Sequence, residues 1–179
     1  MQKYLSFETE RLLLIPTNEN DAEFVFVLLN TPKWLKYIGD RKVYSVDDAK
    51  KYIKTRMISQ LDKLGFCNYT VIRKSDKAKM GLCGLYNRDG LDGIDIGFAF
   101  LSEYEGKGYA FEAAKRIKEA ALKEFNLECI NAITTKYNLA SQKLIEKLGL
   151  KFIQTITLPN DAEELLLYRI ENNNVDAKH

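Results

Sequence analysis

A mixed α/β (α+β) layer, with one central β-sheet and helices packed against it, is the fold class this sequence predicts, and three observations predict it. Apolar residues recur at helical period in well-separated segments, most clearly Ala110, Ala113, Ala114, Ile117, Ala121 and Phe125. Between such segments lie short stretches rich in β-branched and aromatic residues, among them "FCNYTVIRK" and "CINAITTK". The length of 179 residues, with 46% hydrophobic side chains, suffices to bury one sizeable core and is short for two. One domain is expected over residues 1–170, followed by a polar tail over 171–179.

In chain order, "RLLLIP", Arg11 to Pro16, is an apolar run closed by proline, which suits a buried strand. Polar capping residues and acids then precede a run ending at Asn30, predicting a helix near Asp21 to Leu29. "TPKWLKYIGD" sets Trp34 and Tyr37 three apart, on one helical face. In "SVDDAKKYIKTRMISQLDKLG", Ser45 stands three before Asp48 as a capping-box variant, and Ala49, Tyr52, Ile53, Met57 and Leu61 predict a helix ending at Gly65. The period then changes. "FCNYTVIRK" and "KMGLCGLYN" read as a hairpin around "SDKA", and "RDGLDG" turns into a third strand, Ile94 to Leu101. A long helix follows "EGKG", then the strand "CINAITTK", then a helix bounded by Asn138 as N-cap and Gly149 at its end. "KFIQTIT" and "ELLLYRI" close the order as strands. The latter is expected as an exposed edge that offers an opportunity to pair between subunits, with monomer and homodimer both left open.

Composition excludes several functions. Lys and Arg number 27 against 25 Asp and Glu, interspersed without basic blocks, which argues against a nucleic-acid binder resting on many phosphate contacts. The three cysteines, Cys67, Cys83 and Cys129, are far apart, and the one histidine is His179, so neither a zinc site nor a disulfide framework is expected. Thiols in apolar strand patterns fit burial and a reducing cytoplasm. No early apolar run is long enough for a leader or a membrane span, so a cytoplasmic protein without membrane association is expected.

The stretch with the most chemistry is "EGKGYA", Glu105 to Ala110. A strand that ends in glycines and feeds a helix presents unpaired backbone N–H groups at the positive end of the helix dipole, which suits an anion. Gly106 and Gly108 carry no side chain to hold a phosphate away, and Lys107 adds positive charge. A P-loop is excluded because Lys107 is followed by Gly108, and a dinucleotide fingerprint because Phe111 replaces its third glycine.

The same turn resembles that of the GNAT acyltransferases, Gln/Arg-x-x-Gly-x-Gly/Ala, with Glu105, Gly108 and Ala110 at those positions. "ETERLLL", "DIGFAFLSEYEGKGYAFEA" and "NLASQKLIEKLGLKF" stand in the order of the family's ribosomal-protein N-acetyltransferase-like branch, RimJ/RimL-type. The resemblance implies a single-domain GNAT fold whose mixed sheet is splayed at its centre, with acetyl-CoA as cofactor. It implies direct transfer of acetyl to a primary amine, either a protein N-terminus or a small molecule. The alternative is a non-catalytic acyl-CoA-binding module of the same fold. A further rival, a glycine-loop nucleotide binder, would respond to ATP or NAD instead.

Cofactor contacts implied by the resemblance are Phe98, Ala99, Phe100 and Leu101 along the splayed strand, then Glu105, Gly106, Lys107, Gly108, Tyr109 and Ala110, then Asn138 and Ser141. Glu105 departs from the family's Gln or Arg and is expected to point away, offset by Lys107. Ile145 stands where many members carry the tyrosine that protonates the leaving thiolate; Ser141 matches a serine of the resembled branch that could hydrogen-bond the sulfur, so Ser141 or a water is the candidate acid. With no histidine near, Asp95 and Asp92 are the candidate bases. Trp34, Tyr37, Tyr86, Asn87 and Arg88 are the candidates to line the acceptor pocket, and Gly97 is read as a bulge or close approach.

Overall fold

The computed structural model describes residues 4–159 and 161–173. In chain order it has β1 (Phe7–Glu8), β2 (Leu12–Pro16), α1 (Ala22–Leu29), α2 (Pro32–Tyr37), α3 (Val46–Tyr52), α4 (Ser59–Leu64), β3 (Asn68–Arg73), β4 (Lys79–Asn87), β5 (Ile94–Phe100), α5 (Tyr109–Lys123), β6 (Cys129–Thr135), α6 (Leu139–Lys147), β7 (Lys151–Ile156) and β8 (Leu165–Glu171). The strands form one mixed sheet in the order β1-β2-β3-β4-β5-β6-β8-β7. This is the predicted α/β class. The chain divides into two compact units, one running up to Gly84 and resuming over Phe98–Ala113, the other made of Leu85–Gly97 and the chain from Ala114 onward.

In the first unit, β1, β2, β3 and β4 pair antiparallel, with Leu12 opposite Arg73 and a register shift between Val71 and Ile72. α1 to α4 close over a core of Val25, Leu28, Leu29, Trp34, Ile53, Met57, Leu61 and Leu82. The helix expected to run from Ser45 to Gly65 is interrupted by a wider π turn over Ile53–Ile58, which keeps Ile53 and Met57 both buried. Its cap works with one change. Ser45 Oγ accepts from Asp48 N at 3.0 Å, but the Asp48 carboxylate accepts from Tyr44 N, one residue earlier than a capping box requires. Gly65 ends α4 in the left-handed region at φ +84°.

In the second unit, β6 and β8 pair antiparallel along their whole length, from Cys129 opposite Glu171 to Thr135 opposite Leu165. β5 and β6 are parallel, and among the described residues their register is the single pair Asp95 and Asn131. The small stripe of α5 is buried at Ala114, Ile117, Ala120 and Ala121, while Phe125 falls beyond the helix end and is half-buried.

Two expectations are corrected. β8, the "ELLLYRI" strand, is internal, hydrogen-bonded to β6 on one side and β7 on the other. The edge is β7, exposed from Lys151 to Thr155, so an intersubunit pairing through β8 has no free ladder to use. The first two residues of the expected tail are part of the packed structure. Glu171 is still in β8, and Asn172 is buried, its backbone N–H on Glu128 O and its amide donating to Leu122 O at 3.0 Å and Leu127 O at 2.9 Å. The polarity of "ENNN" hides this because an amide that satisfies one carbonyl in the last turn of α5 and one just beyond it is as polar in sequence as one in solvent. Residues 174–179, His179 included, lie outside the described residues. Asn172→Ala should lower unfolding free energy by about 1–3 kcal/mol by leaving two part-buried carbonyls without their partner, read from urea denaturation. A variant as stable as the parent would show the anchor to be idle.

Candidate active site

The first unit holds the glycine turn. β5 ends at Phe100, and Leu101 N–H donates to Met80 O at 2.9 Å, so at that residue the sheet uses the donor expected to serve the cofactor arm. A 3-10 turn over Ser102–Tyr104 leads into Gly106 and Gly108, at φ +72° and +81°, backbone that glycine alone adopts without strain. Nothing lies within 4 Å of where a Gly106 side chain would begin. The first bond of α5 is Glu112 N to Gly108 O at 3.0 Å, which leaves the N–H groups of Gly108, Tyr109 and Ala110 without an intrahelical acceptor. Lys107 donates from its ammonium to Glu103 O and takes part in no ion pair among the described residues. Glu105 is ion-paired with Lys33, on α2; Lys33, not Lys107, offsets it.

Around this turn are residues the sequence reading assigned no role. Arg11 Nε donates to Glu112 Oε2 at 2.7 Å, its backbone N–H to Glu112 Oε1 at 3.0 Å, and Nη1 to Lys107 O at 3.1 Å. Its guanidinium lies 4.3 Å from the Tyr109 ring centre. Thr9 Oγ1 donates to Glu112 Oε1 at 2.5 Å. Burial tends to raise the Glu112 carboxyl, but the hydrogen bonds from Thr9 and Arg11 outweigh it and hold its pKa below the ordinary value. Arg73, tied to Asp76, stacks near Tyr104 and reaches the Tyr109 hydroxyl at 3.5 Å. "ETERLLL" already carried Thr9 and Arg11, but their partners lie about a hundred residues on, and spacing reveals no such pairing.

In the second unit, Tyr86, Arg88, Asp95 and Gly97 come together. A side chain on Gly97 would begin 2.8 Å from Cε2 of the Tyr86 ring, so this glycine marks a close approach. The Arg88 guanidinium lies 4.9 Å from the centre of that ring and its Nε donates to Asp95 Oδ1 at 2.8 Å. Asp95 is 1% exposed, and its Oδ2 is buried without a hydrogen-bond partner. Burial pushes its pKa up to about 6, against the opposing pull of Arg88. Asp92 is exposed in the preceding turn, its carbonyl accepting from Asn131 Nδ2 at 2.7 Å, and Asn87 is exposed at the end of β4.

Asn138 caps α6 through Oδ1, which accepts from Ser141 N at 3.2 Å. No partner for Asn138 Nδ2 or the Ser141 hydroxyl occurs among the described residues. Ile145 is buried at 1% exposure. Trp34 is a core residue of the first unit and Tyr37 is half-buried beneath the Lys36 ammonium, 5.0 Å from its ring centre. Cys67 and Cys83 are buried and Cys129 is half-buried. Burial raises the Cys83 and Cys129 thiols, the opposite of an activated nucleophile. Among the described residues no helix is long and apolar enough to cross a membrane, and no cluster of His, Cys, Asp or Glu is placed to hold a metal.

The family model for an acetyltransferase (GNAT) domain matches residues 11–151. The chain belongs to the GNAT acetyltransferase family. It is 29% identical over 143 residues to an uncharacterized N-acetyltransferase, YnaD, of Bacillus subtilis, covering 80% of this chain and 81% of that one. Its fold is similar to a GNAT-family acetyltransferase from Bacillus anthracis at TM-score 0.77 and 25% identity, over 94% of this chain and 99% of that one. It is also similar at TM-score 0.78 and 14% identity, over 93% and 98% of the two chains, to RimL, a ribosomal-protein α-N-acetyltransferase in complex with coenzyme A. This GNAT acetyltransferase therefore has a fold neighbour in the branch its sequence resembles.

The raised pKa of Asp95 has a definite sign in stability. The folded protein retains a proton that the unfolded chain, at the ordinary value of 3.8, releases, so this group's contribution is fully present below about pH 4 and is lost as pH rises to about 6. Against Asp95→Asn, the parent should lose up to about 3 kcal/mol across that window, measured by urea denaturation at each pH. Parallel curves for the two proteins would contradict the assignment.

Proposed function

We propose that this GNAT acetyltransferase transfers the acetyl group of acetyl-CoA directly to a primary amine, within a ternary complex. The observation that carries the reading is the glycine turn: two side-chain-free residues at positive φ, followed by a helix whose first N–H groups have no internal acceptor. These residues fit a pyrophosphate, because backbone donors and the Lys107 ammonium are available there while Glu105 is engaged by Lys33. Gly106, Lys107, Gly108, Tyr109 and Ala110 would hold the phosphates. Phe98, Ala99 and Phe100 would take the pantetheine arm, as would Asn138, whose Nδ2 stays available while Oδ1 caps α6. When bound, acetyl-CoA supplies an activated acetyl group: a C–N bond forms as the C–S bond breaks.

Of the two candidate bases the reading favours Asp95. Its Oδ1 is fixed by Arg88, and a carboxylate titrating near 6 is ionised at neutral pH yet basic enough to take a proton relayed from the amine. Asp92 is exposed, an ordinary turn acid. The Ser141 hydroxyl is the proton donor proposed for the departing thiolate; Ile145 faces the core and offers none. Tyr86, Asn87 and Arg88 are proposed acceptor contacts, as are Trp34 and Tyr37, the former with its indole N–H buried and unpartnered. An α-amine, with an ordinary pKa near ~8, needs less deprotonation than a lysine side chain near ~10.4, which favours an N-terminal or similarly weakly basic acceptor.

The second reading, an acyl-CoA-binding module without turnover, draws on the buried Ile145. The deciding experiment combines thermal unfolding with millimolar acetyl-CoA and an amine screen following coenzyme A release. Stabilisation, with release that an amine accelerates, is expected. Stabilisation without any amine-dependent release would favour the module, and no stabilisation would overturn both. With an acceptor in hand, Asp95→Asn should lower kcat by about 10²–10⁴-fold and abolish the acid limb of the kcat/KM profile, which in the parent should rise through about pH 6. An unchanged limb would remove Asp95 from the base role.

A further inference from the structure

We infer that Arg11 is a positioning residue that locks the peptide between Lys107 and Gly108 with its N–H turned outward for an anion. This rests on the reading of the glycine turn as a cofactor cradle. A trans peptide is planar, so its C=O and N–H point in opposite directions. The Lys107 carbonyl accepts from Arg11 Nη1 at 3.1 Å, and the Gly108 N–H of the same peptide is thereby turned away from Arg11. Such a peptide can flip by rotating Lys107 ψ and Gly108 φ together, and glycine at the second position admits both forms. Flipped, it would offer an anion a carbonyl oxygen in place of a donor.

The clamp is itself held on three sides. Glu112 Oε2 takes Arg11 Nε at 2.7 Å, and Glu112 Oε1 takes the Arg11 backbone N–H at 3.0 Å. The Tyr109 ring lies 4.3 Å from the guanidinium carbon. Gly108 matters a second time, since a side chain there would begin 3.3 Å from Arg11 Nη2. Glu112 sits in the first turn of α5, so one guanidinium ties the glycine turn to the helix whose N–H groups it extends. Lysine cannot reproduce this: an ammonium has no planar fork with which to hold a carboxylate and a carbonyl at once.

The test is calorimetric titration of coenzyme A into the parent, Arg11→Ala and Arg11→Lys, together with the Gly108 amide resonance of each ligand-free protein. Both variants are expected to bind roughly tenfold or more weakly, as loss of a charge-assisted hydrogen bond implies. The free Gly108 amide, single in the parent, should be split or broadened in both. Parent-like affinity in Arg11→Ala overturns the inference. Parent-like affinity in Arg11→Lys overturns it as well, because Arg11 would then act as a charge and not as a clamp. A parent that binds no coenzyme A sinks the cradle reading, and the Gly108 resonance then decides the clamp by itself. A single sharp Gly108 resonance in both variants overturns the clamp, whereas a purely structural loss of stability would leave that peptide's two-state signature absent.

Discussion

The geometry of the glycine turn depends on one ion pair formed between residues 101 apart, Arg11 on Glu112. With side chains 41% and 19% exposed, the pair adds little to stability, of the order of 0–1 kcal/mol for such exposed contacts. Its importance is directional. A guanidinium that holds a carboxylate and a main-chain carbonyl at once orients a peptide that Gly108 would otherwise leave free to turn. Thr9 and the backbone N–H of Arg11 share the Glu112 carboxylate, keeping it ionised and the fork in place. The turn between β1 and β2 thus shapes a second turn, which becomes a candidate site only in the middle of the sequence.

A different balance governs Asp95. Its partner Arg88 pulls the carboxyl toward ionisation, yet burial wins, because taking a charge out of water costs more than one partly exposed arginine returns. The result is a carboxylate tuned close to neutrality, with one oxygen bonded and the other unpaired. Gly97 and Tyr86 contribute by packing: with no side chain at 97, the ring lies flush on β5 and gives Arg88 a surface to rest against. Unsatisfied buried oxygens are rare in folded proteins and concentrate where chemistry is done.

Much of this was legible from residue types alone. The change of period after Gly65, the glycine turn and the caps at Ser45 and Asn138 are local matters, decided within a few residues, and the helices and strands form where these signals stand. Gly97 was legible as a bulge or a close approach, though not what approached it. The π turn over Ile53–Ile58 escaped because a one-residue widening leaves the apolar pattern nearly intact. The position of β8 inside the sheet escaped because strand order is not a local property. Asn172 escaped because polarity reads the same whether an amide meets water or main-chain carbonyls.

By itself, then, the sequence determined the element types, the glycine turn and the residue chemistry available around it, since propensity, capping and backbone freedom act over a few residues. Only the tertiary structure decided that Glu105 would be paired by Lys33, that Asp95 would be buried beside Arg88, and that Arg11 would hold the Lys107 carbonyl. Each of these depends on sheet order and helix docking, through contacts between residues 7, 72 or 96 positions apart, and on the burial that docking creates. Charge and hydrogen-bonding capacity are written in the residue; the dielectric around it and the partner opposite it exist only once the chain has folded.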